Sequence, residues 1–271
     1  MPELPEIEII RRTIEDRLKG QRLEEATLKV TGKTAMVGAE HLPDMEGQRL
    51  EKLERFGKML ALEFDGGQTL LQHLMLIGRL ALYKGASTES PDTRIGLRFE
   101  GDQHLEVRFV ALRDLALLST KELRRYPPIA KLGPDALDIT ARQFSEVLQQ
   151  ARGPVKDVFL EQKYLAGVGN AYADEILFEA KMYPLRPAAK LDDEETTRLH
   201  GCIGLVLLRA IEAGAAKEYI FKIGNEAGLT RKFDQMRVHD REGKACPNCG
   251  ETVEKIVRSG RGTFFCPHCQ K

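Results

Sequence analysis

Net charge is the first thing this chain lacks. Its 41 lysines and arginines balance 41 acids, for a formal net charge of +0. The positive excess that would advertise a polyanionic partner is missing, although a neutral total does not exclude one. Long apolar runs are missing too. None reaches the length that spans a bilayer, and the N-terminus is acidic and amphipathic, so neither a membrane anchor nor a secretory leader is expected. Internal repeats and low-complexity tracts are absent. Cysteine is scarce, with five in 271 residues, yet four of them fall in the last thirty as two pairs. For a chain read as cytosolic, such pairs indicate a metal more often than disulfides.

What is present suggests two domains and a small third module. Residues 2–18 place Ile7, Ile10, Ile14 and Leu18 at helical spacing, and Gly20 supplies a stop. From residue 22 to 118 the pattern turns to strands, at 23–30, 49–64, 69–83, 94–99 and 105–118. Turns such as Asp65-Gly66-Gly67 and Glu100-Gly101-Asp102 separate them, which indicates an antiparallel sandwich or barrel. Residues 86–92 read as a polar loop. Tyr126-Pro127-Pro128 and Leu132-Gly133-Pro134 mark a boundary. Beyond it helices are expected at 140–150, 155–160, 171–180 and 191–213, capped at Thr140 and at Asp192 or Asp193. A polar loop at 224–231 leads to the Cys-rich end. The expected segments of this α+β chain are 1–131, 132–223 and 224–271. Charge is unevenly spread: from Lys217 onward eleven lysines and arginines face seven acids, which is compatible with docking on phosphates.

Cys246-Pro247-Asn248-Cys249 and Cys266-Pro267-His268-Cys269 carry the most specific spacing, two C-x2-C knuckles sixteen residues apart. Two thiolates from each knuckle complete a tetrahedron for one zinc ion, and four protein ligands make the site closed and structural. Two disulfides are the alternative. Cys202 lies in an apolar helical stretch and reads as core. Between the knuckles, Arg258-Ser259-Gly260-Arg261-Gly262-Thr263 is a hairpin tip. It is either a solvated turn or a pair of guanidinium groups presented to phosphate. The turn Gly167-Val168-Gly169-Asn170 precedes a helix and can bind phosphate through backbone N–H groups. Many such turns are simple connections. At the other end, Pro2 becomes a secondary amine once Met1 is trimmed. An α-amino pKa of about 8 leaves part of it neutral and nucleophilic near pH 7, with Glu3 beside it for proton transfer. Read alone, Pro2 and Pro5 equally well start a helix whose dipole favours Glu3, Glu6 and Glu8.

The opening Pro2-Glu3-Leu4-Pro5-Glu6, the Gly167-to-Asn170 turn followed by Tyr172 and Glu175, and the terminal four-cysteine ribbon together resemble the formamidopyrimidine-DNA glycosylase / endonuclease VIII family. The three motifs occur in that family's order and span the chain. The resemblance implies an N-terminal antiparallel β-sandwich with an N-terminal helix, a helical domain with a helix–two-turn–helix motif, and a zinc ribbon, with damaged DNA in the cleft between domains. It implies a monomer with one structural zinc ion, working in the bacterial cytoplasm at the nucleoid. Pro2 would attack the sugar C1′ and expel the base, Glu3 would assist ring opening, and β- and δ-elimination would cut the strand. Lys58 matches the family's lysine at the lesion phosphate, Asn170 its phosphate-binding asparagine, and Arg261 its ribbon-tip arginine. Lys156, Arg113 and Arg258 are further expected DNA contacts.

Two departures from the family stand out. The family's void-filling methionine is replaced in His73-Leu74-Met75-Leu76-Ile77-Gly78 by Leu76, with Met75 one residue early. Its arginine and wedging phenylalanine fall at Leu112 and Asp114, so only Arg113 is left to face the orphaned base. Excision from stable duplex is therefore expected to be slow, because unstacking a base costs a few kcal/mol. A divergent protein that binds damaged DNA with weak or no glycosylase activity is the alternative reading.

Overall fold

A computed structural model describes residues 1–29, 35–86, 90–222 and 229–271. Val30, residues 87–89 of the polar loop expected at 86–92, and residues 224–228 of the one expected at 224–231 lie outside them. By packing, the chain falls into two units, Met1–Ala130 with Ala216–Arg231, and Lys131–Ala215 with Lys232–Lys271.

The first unit opens with helix α1 (Leu4–Leu18), which buries Ile7, Ile10, Ile14 and Leu18 as their spacing requires. Strands β1 (Leu23–Leu28), β2 (Leu50–Phe56), β3 (Met59–Phe64), β4 (Gln68–His73), β5 (Arg79–Lys84), β6 (Thr93–Phe99), β7 (Gln103–Arg108) and β8 (Leu115–Ser119) follow. A short helix α2 (Pro127–Ala130) comes next, and strand β9 (Ile220–Lys222) returns late in the chain. They form two sheets, ordered β1-β6-β7-β5-β9 and β2-β3-β4-β8. One core holds both together. Leu82, Leu97 and Leu105 of the first sheet meet Leu53, Leu62 and Leu70 of the second and the apolar stripe of α1. Phe64 and Phe99 stack with centroids 6.5 Å apart. This is the expected sandwich, with one exception: β9 pairs with β5 in parallel.

Three stretches expected as single strands are each two. Residues 49–64 fold back at Gly57-Lys58, 69–83 break at 74–78, and 105–118 break at 109–114. The breaks have local causes. Gly57 has φ 56 in a two-residue hairpin loop between Phe56 and Met59, where a positive φ suits the strand twist. At Gly78 an added Cβ would meet the Leu74 carbonyl oxygen at 2.2 Å. Each break carries residues singled out in the sequence: Lys58, Leu76 and Arg113.

Cross-strand charge also shapes this unit. Glu54 accepts from Lys52 Nζ at 2.6 Å and pairs with Arg124 at 3.3 Å. Burial, then a hydrogen bond to Glu54 and its charge, push the Glu63 carboxyl up to about 7. A folded-state value above the ordinary one means the protonated form is favoured in the fold. That contribution is complete below about pH 4.5 and is lost as pH rises through 7. Glu63→Gln is therefore expected to gain stability over wild type between pH 5 and pH 8, by on the order of 1 kcal/mol given partial solvent screening. Thermal unfolding at the two pH values measures it, and a difference that does not change with pH contradicts the assignment.

The second unit contains α3 (Ala141–Gln150), α4 (Val155–Leu160), α5 (Asn170–Glu179), α6 (Asp193–Glu212) and the hairpin β10 (Glu254–Arg258) and β11 (Arg261–Phe265). The caps sit where expected: Thr140 Oγ1 accepts from Gln143 N at 3.2 Å and Asp192 Oδ1 from Glu195 N at 2.8 Å. Phe178 of α5 packs with Val238, Val253 and Phe264, seating the ribbon on the helices. Among the described residues no helix is long and apolar enough to cross a membrane.

Candidate catalytic and nucleic-acid-contacting sites

In the first unit, helix α1 begins at Leu4, with Pro5 in its first turn. The helix-starting role thus belongs to Pro5, and Pro2 lies outside the helix. Pro2 and Glu3 are buried. Glu3 N donates to Glu6 Oε2 at 2.6 Å, and Glu3 O accepts from Ile7 N at 3.1 Å, so the backbone entering the helix is held at both groups. Glu8, one turn on, accepts from Arg11 at 2.9 Å and Arg12 at 2.8 Å and pairs with Arg55 Nε at 3.4 Å. Burial raises the Glu8 carboxyl, but hydrogen bonds from Arg11 and Arg12 and the charges of Arg11 and Arg55 outweigh it and bring it down to about 2. Arg55 also donates to the Gly57 carbonyl at 3.3 Å. A continuous polar chain therefore ties the helix that starts beside Pro2 to the hairpin turn that carries Lys58, itself 8% exposed.

The two neighbouring loops differ in what they present. Met75, Leu76 and Ile77 are 40%, 68% and 64% exposed, and Phe109 is 39% exposed with φ 58. Arg113 is exposed and Asp114 half-buried. Leu112 is 3% exposed and belongs to the sandwich core. The expectation that Leu112 occupies the orphan-facing position is thus corrected: its side chain points inward because core packing claims it. His73 is a residue the sequence reading passed over. Its Nδ1 accepts from Met75 N at 3.2 Å, which leaves Nε2 as the donor of the neutral ring. Burial lowers its pKa, Lys58 lowers it further and Asp114 opposes them, so the three side chains share one field. The available signal was its place at the end of β4, opposite Met59.

In the second unit, the Gly167-Val168-Gly169-Asn170 turn is clamped from one side. Gln162 accepts from Gly167 N at 2.9 Å and donates to the Val168 carbonyl at 2.8 Å. The Gly167 N–H is therefore already engaged, unlike the exposed donor expected. Asn170 starts α5, and its Nδ2 donates to the Gly262 carbonyl at 2.9 Å. Its Oδ1 is buried without a hydrogen-bond partner.

Lys156 is placed differently from its expected role as a DNA contact. It is 1% exposed. Its Nζ donates to Asp174 Oδ1 at 2.6 Å, Thr263 Oγ1 at 2.7 Å and the Gly262 carbonyl at 3.2 Å, which uses the three donors of an ammonium. The corrected role is to hold the ribbon hairpin against α5. Asp174 Oδ2 meets His239 Nδ1 at 2.7 Å. Glu175 accepts from the N–H groups of Arg237, Val238 and His239, each at 2.9 Å, and so pins the strand of chain entering the ribbon.

The hairpin tip is a two-residue turn with φ 49 at Ser259 and 73 at Gly260, the turn type that matches strand twist. Arg258 and Arg261 face each other across it. Like charges directly opposed in a ladder are destabilising. Asp157 relieves Arg258 at 3.1 Å, and Arg261 is exposed. An anion bound at the tip would relieve the rest.

Cys246, Cys249, Cys266 and Cys269 converge, with all four sulfurs within 4.8 Å of one another. Cys249 and Cys266 are 3.5 Å apart, Cys246 and Cys269 3.9 Å. Four sulfurs at 2.3 Å from one tetrahedral ion lie about 3.8 Å apart, whereas a disulfide needs about 2.05 Å. Burial and hydrogen bonds with Cys249, Cys266 and Cys246 push the Cys269 thiol up to about 12, a mutual opposition that a cation among the sulfurs removes. The donor set and spacing fit a structural metal.

Comparison with known proteins agrees with this layout. Residues 1–118 match the formamidopyrimidine-DNA glycosylase N-terminal domain, 132–221 the formamidopyrimidine-DNA glycosylase H2TH domain, and 243–271 a zinc finger found in FPG and IleRS. The chain is 35% identical to a formamidopyrimidine-DNA glycosylase of Heliobacterium modesticaldum, covering 100% of both. It is 36% identical to one of Thermus thermophilus, covering 100% of this chain and 98% of that one. Among solved structures it resembles a variant Lactococcus lactis FPG in complex with Fapy-dG-containing DNA, with TM-score 0.88, 29% identity and 100% coverage of both chains. It also resembles the Thermus thermophilus MutM (FPG) protein, with TM-score 0.84, 34% identity and coverage of 99% and 98%. With the three segments matched in order and full-length relatives above 30% identity, the chain belongs to the formamidopyrimidine-DNA glycosylase family.

Proposed function

We propose that this protein is a bifunctional DNA glycosylase and abasic-site lyase of base excision repair. The observation that carries the reading is Pro2 beside a buried Glu3, outside a helix whose first turn is already served by Pro5. Removal of Met1 converts the Pro2 nitrogen from an amide to a secondary amine. Its lone pair attacks C1′ of the damaged nucleotide. The electron pair of the glycosidic bond leaves with the base, which gains a proton. Glu3 passes a proton to the ring oxygen as the sugar opens, leaving an iminium at C1′. The iminium acidifies the C2′ proton, whose loss expels the 3′ phosphate. A second elimination expels the 5′ phosphate, and water then releases Pro2. Lys58, Asn170, Arg261 and Arg258 hold phosphates, and Arg113 faces the orphaned base. The sandwich unit, to which residues 216–231 return, serves as the catalytic module, the helices within 131–215 as the DNA-binding module, and the Cys-rich end as the ribbon. The ribbon metal is one zinc ion, the partner is damaged DNA at the bacterial nucleoid, and the working form is a monomer.

Borohydride tests this reading. It reduces the iminium to a stable amine, so incubation with abasic DNA should give one covalent adduct whose peptide maps to Pro2. Binding of abasic DNA with no adduct would defeat the catalytic reading and leave a damage-binding protein.

A further inference from the structure

Three aromatic rings stand in contact beside the ribbon hairpin of the second unit. Phe264 of β11 meets the His239 ring edge-on, with centroids 5.0 Å apart and planes at 75°. His239 in turn lies nearly parallel to Phe233, at 6.5 Å and 15°. The first two rings are fixed. Phe264 and His239 are buried. His239 Nδ1 meets Asp174 Oδ2 at 2.7 Å, and the His239 backbone N–H donates to Glu175 at 2.9 Å. The third ring faces outward: Phe233 is 51% exposed. The chain around it is basic, with five lysines and arginines against three acids from Arg231 to Lys244. Arg241 Nε is buried without a hydrogen-bond partner.

We propose that Phe233 is a stacking platform for an unpaired nucleobase, so that the protein takes lesions flanked by single-stranded DNA. Both parts rest on the DNA-repair reading above. Inside a paired duplex both faces of each base are covered by its neighbours, and a protein ring has no face to meet. An unpaired base has one. Stacking on an aromatic side chain tolerates any sequence, because every base has a π-face. The basic surround attracts the phosphates that come with the base. A ring already held against His239 loses little freedom when it is covered. Continuity with the phosphate-holding residues is the further support. Asp174, which holds His239, also accepts from Lys156 Nζ, and that ammonium reaches Thr263 Oγ1 and the Gly262 carbonyl. Asn170 donates to the same carbonyl, and Arg261 directly precedes it in the chain. One set of contacts thus fixes the platform relative to Asn170 and Arg261. A strand held there by a phosphate can lay an adjacent unpaired base on the ring. The slow duplex excision expected from Leu76 and Asp114 fits such a substrate, since a base already out of a stack needs no wedge.

Binding of a tetrahydrofuran abasic analogue, in a single strand and in a fully paired duplex, tests the proposal by fluorescence anisotropy. Phe233→Ala should weaken single-strand binding about tenfold, the effect of losing one stacked base, and change duplex binding less than about twofold. Phe233→Leu should behave like Phe233→Ala, because bulk without a π-face does not stack, and Phe233→Tyr like wild type. Irradiating wild type on a single strand with 5-iodouracil beside the analogue should give a cross-link that mass spectrometry places on Phe233. That position decides the matter should the variants fail to fold. Equal losses on both DNAs, no loss on the single strand, a Phe233→Leu protein with full single-strand affinity, or cross-links confined to other residues overturns the platform alone. A wild-type protein that binds neither DNA overturns the repair reading and this inference with it.

Discussion

Pro2→Gly is expected to slow strand cleavage at a preformed abasic site by on the order of 10²-fold or more, the scale of losing a positioned reacting group. Glycine keeps an α-amino terminus but is a primary amine, and it lacks the ring that holds the nitrogen and orients its lone pair. Some cleavage should therefore survive, with an adduct still trapped by borohydride. Glu3→Gln should separate the two activities. Glutamine can accept and donate hydrogen bonds but cannot deliver a proton at neutral pH, so base excision should be nearly lost. Cutting of preformed abasic sites needs no departing base and should fall much less. Glu3 is 4% exposed next to the α1 entry, so bulk water is a poor substitute proton source. Single-turnover rates on damaged and on abasic DNA give both numbers. A preparation shown by mass spectrometry to retain Met1 should be inactive in both assays, because its Pro2 nitrogen is an amide. Full activity of that preparation would rule out the mechanism.

Cys266→Ser is expected to abolish metal binding and to weaken DNA binding by about one to two orders of magnitude while the rest of the protein stays folded. Cys266 is fully buried and belongs to the small core that also holds Phe178 and Phe264. Structural zinc contributes on the order of 10 kcal/mol to folding in small modules. Without it the hairpin has little else of its own, since a two-strand ribbon is marginal in water. The outside contacts that remain include Lys156 to Thr263 and Gly262, Asn170 to Gly262, Arg258 to Asp157, and the Tyr183 ring against Phe265. These should retain a partly ordered hairpin with Arg261 no longer held at its tip. Metal content by mass spectrometry, hydrogen exchange over residues 246–269 and binding titrations at two salt concentrations measure the effect. A Cys266→Ser protein that keeps one zinc ion per chain, or one that loses zinc with DNA affinity unchanged, contradicts the role given to the ribbon.

Legibility in the sequence followed the range of the interactions involved. The stripe of α1, the caps at Thr140 and Asp192 and the turn at Ser259-Gly260 are decided within a few residues, and each lies where the pattern placed it. Strand breaks at Lys58 and Arg113 were missed because apolar residues resume directly on either side of Gly57-Lys58 and Arg113-Asp114 and mimic one long strand. The three-residue strand β9 was missed because it has no period of its own. It exists by pairing Ile220 with Leu80, far away in the chain.

The sequence alone determined the chemistry on offer: a proline amine in waiting at Pro2 beside Glu3, four thiols at metal spacing, and paired arginines on a glycine turn. Those properties belong to residue types and short spacings, which survive without a fold. Tertiary structure alone decided which polar groups face outward. Lysine reads as surface in any sequence, yet Asp174 and Thr263 arrive from two other elements and bury Lys156. Leu112 sits in an exposed-looking loop and is claimed by the core, while Arg113 beside it is left outside. A buried charge is tolerable only where partners converge on it, and convergence from distant parts of the chain leaves no trace in local sequence.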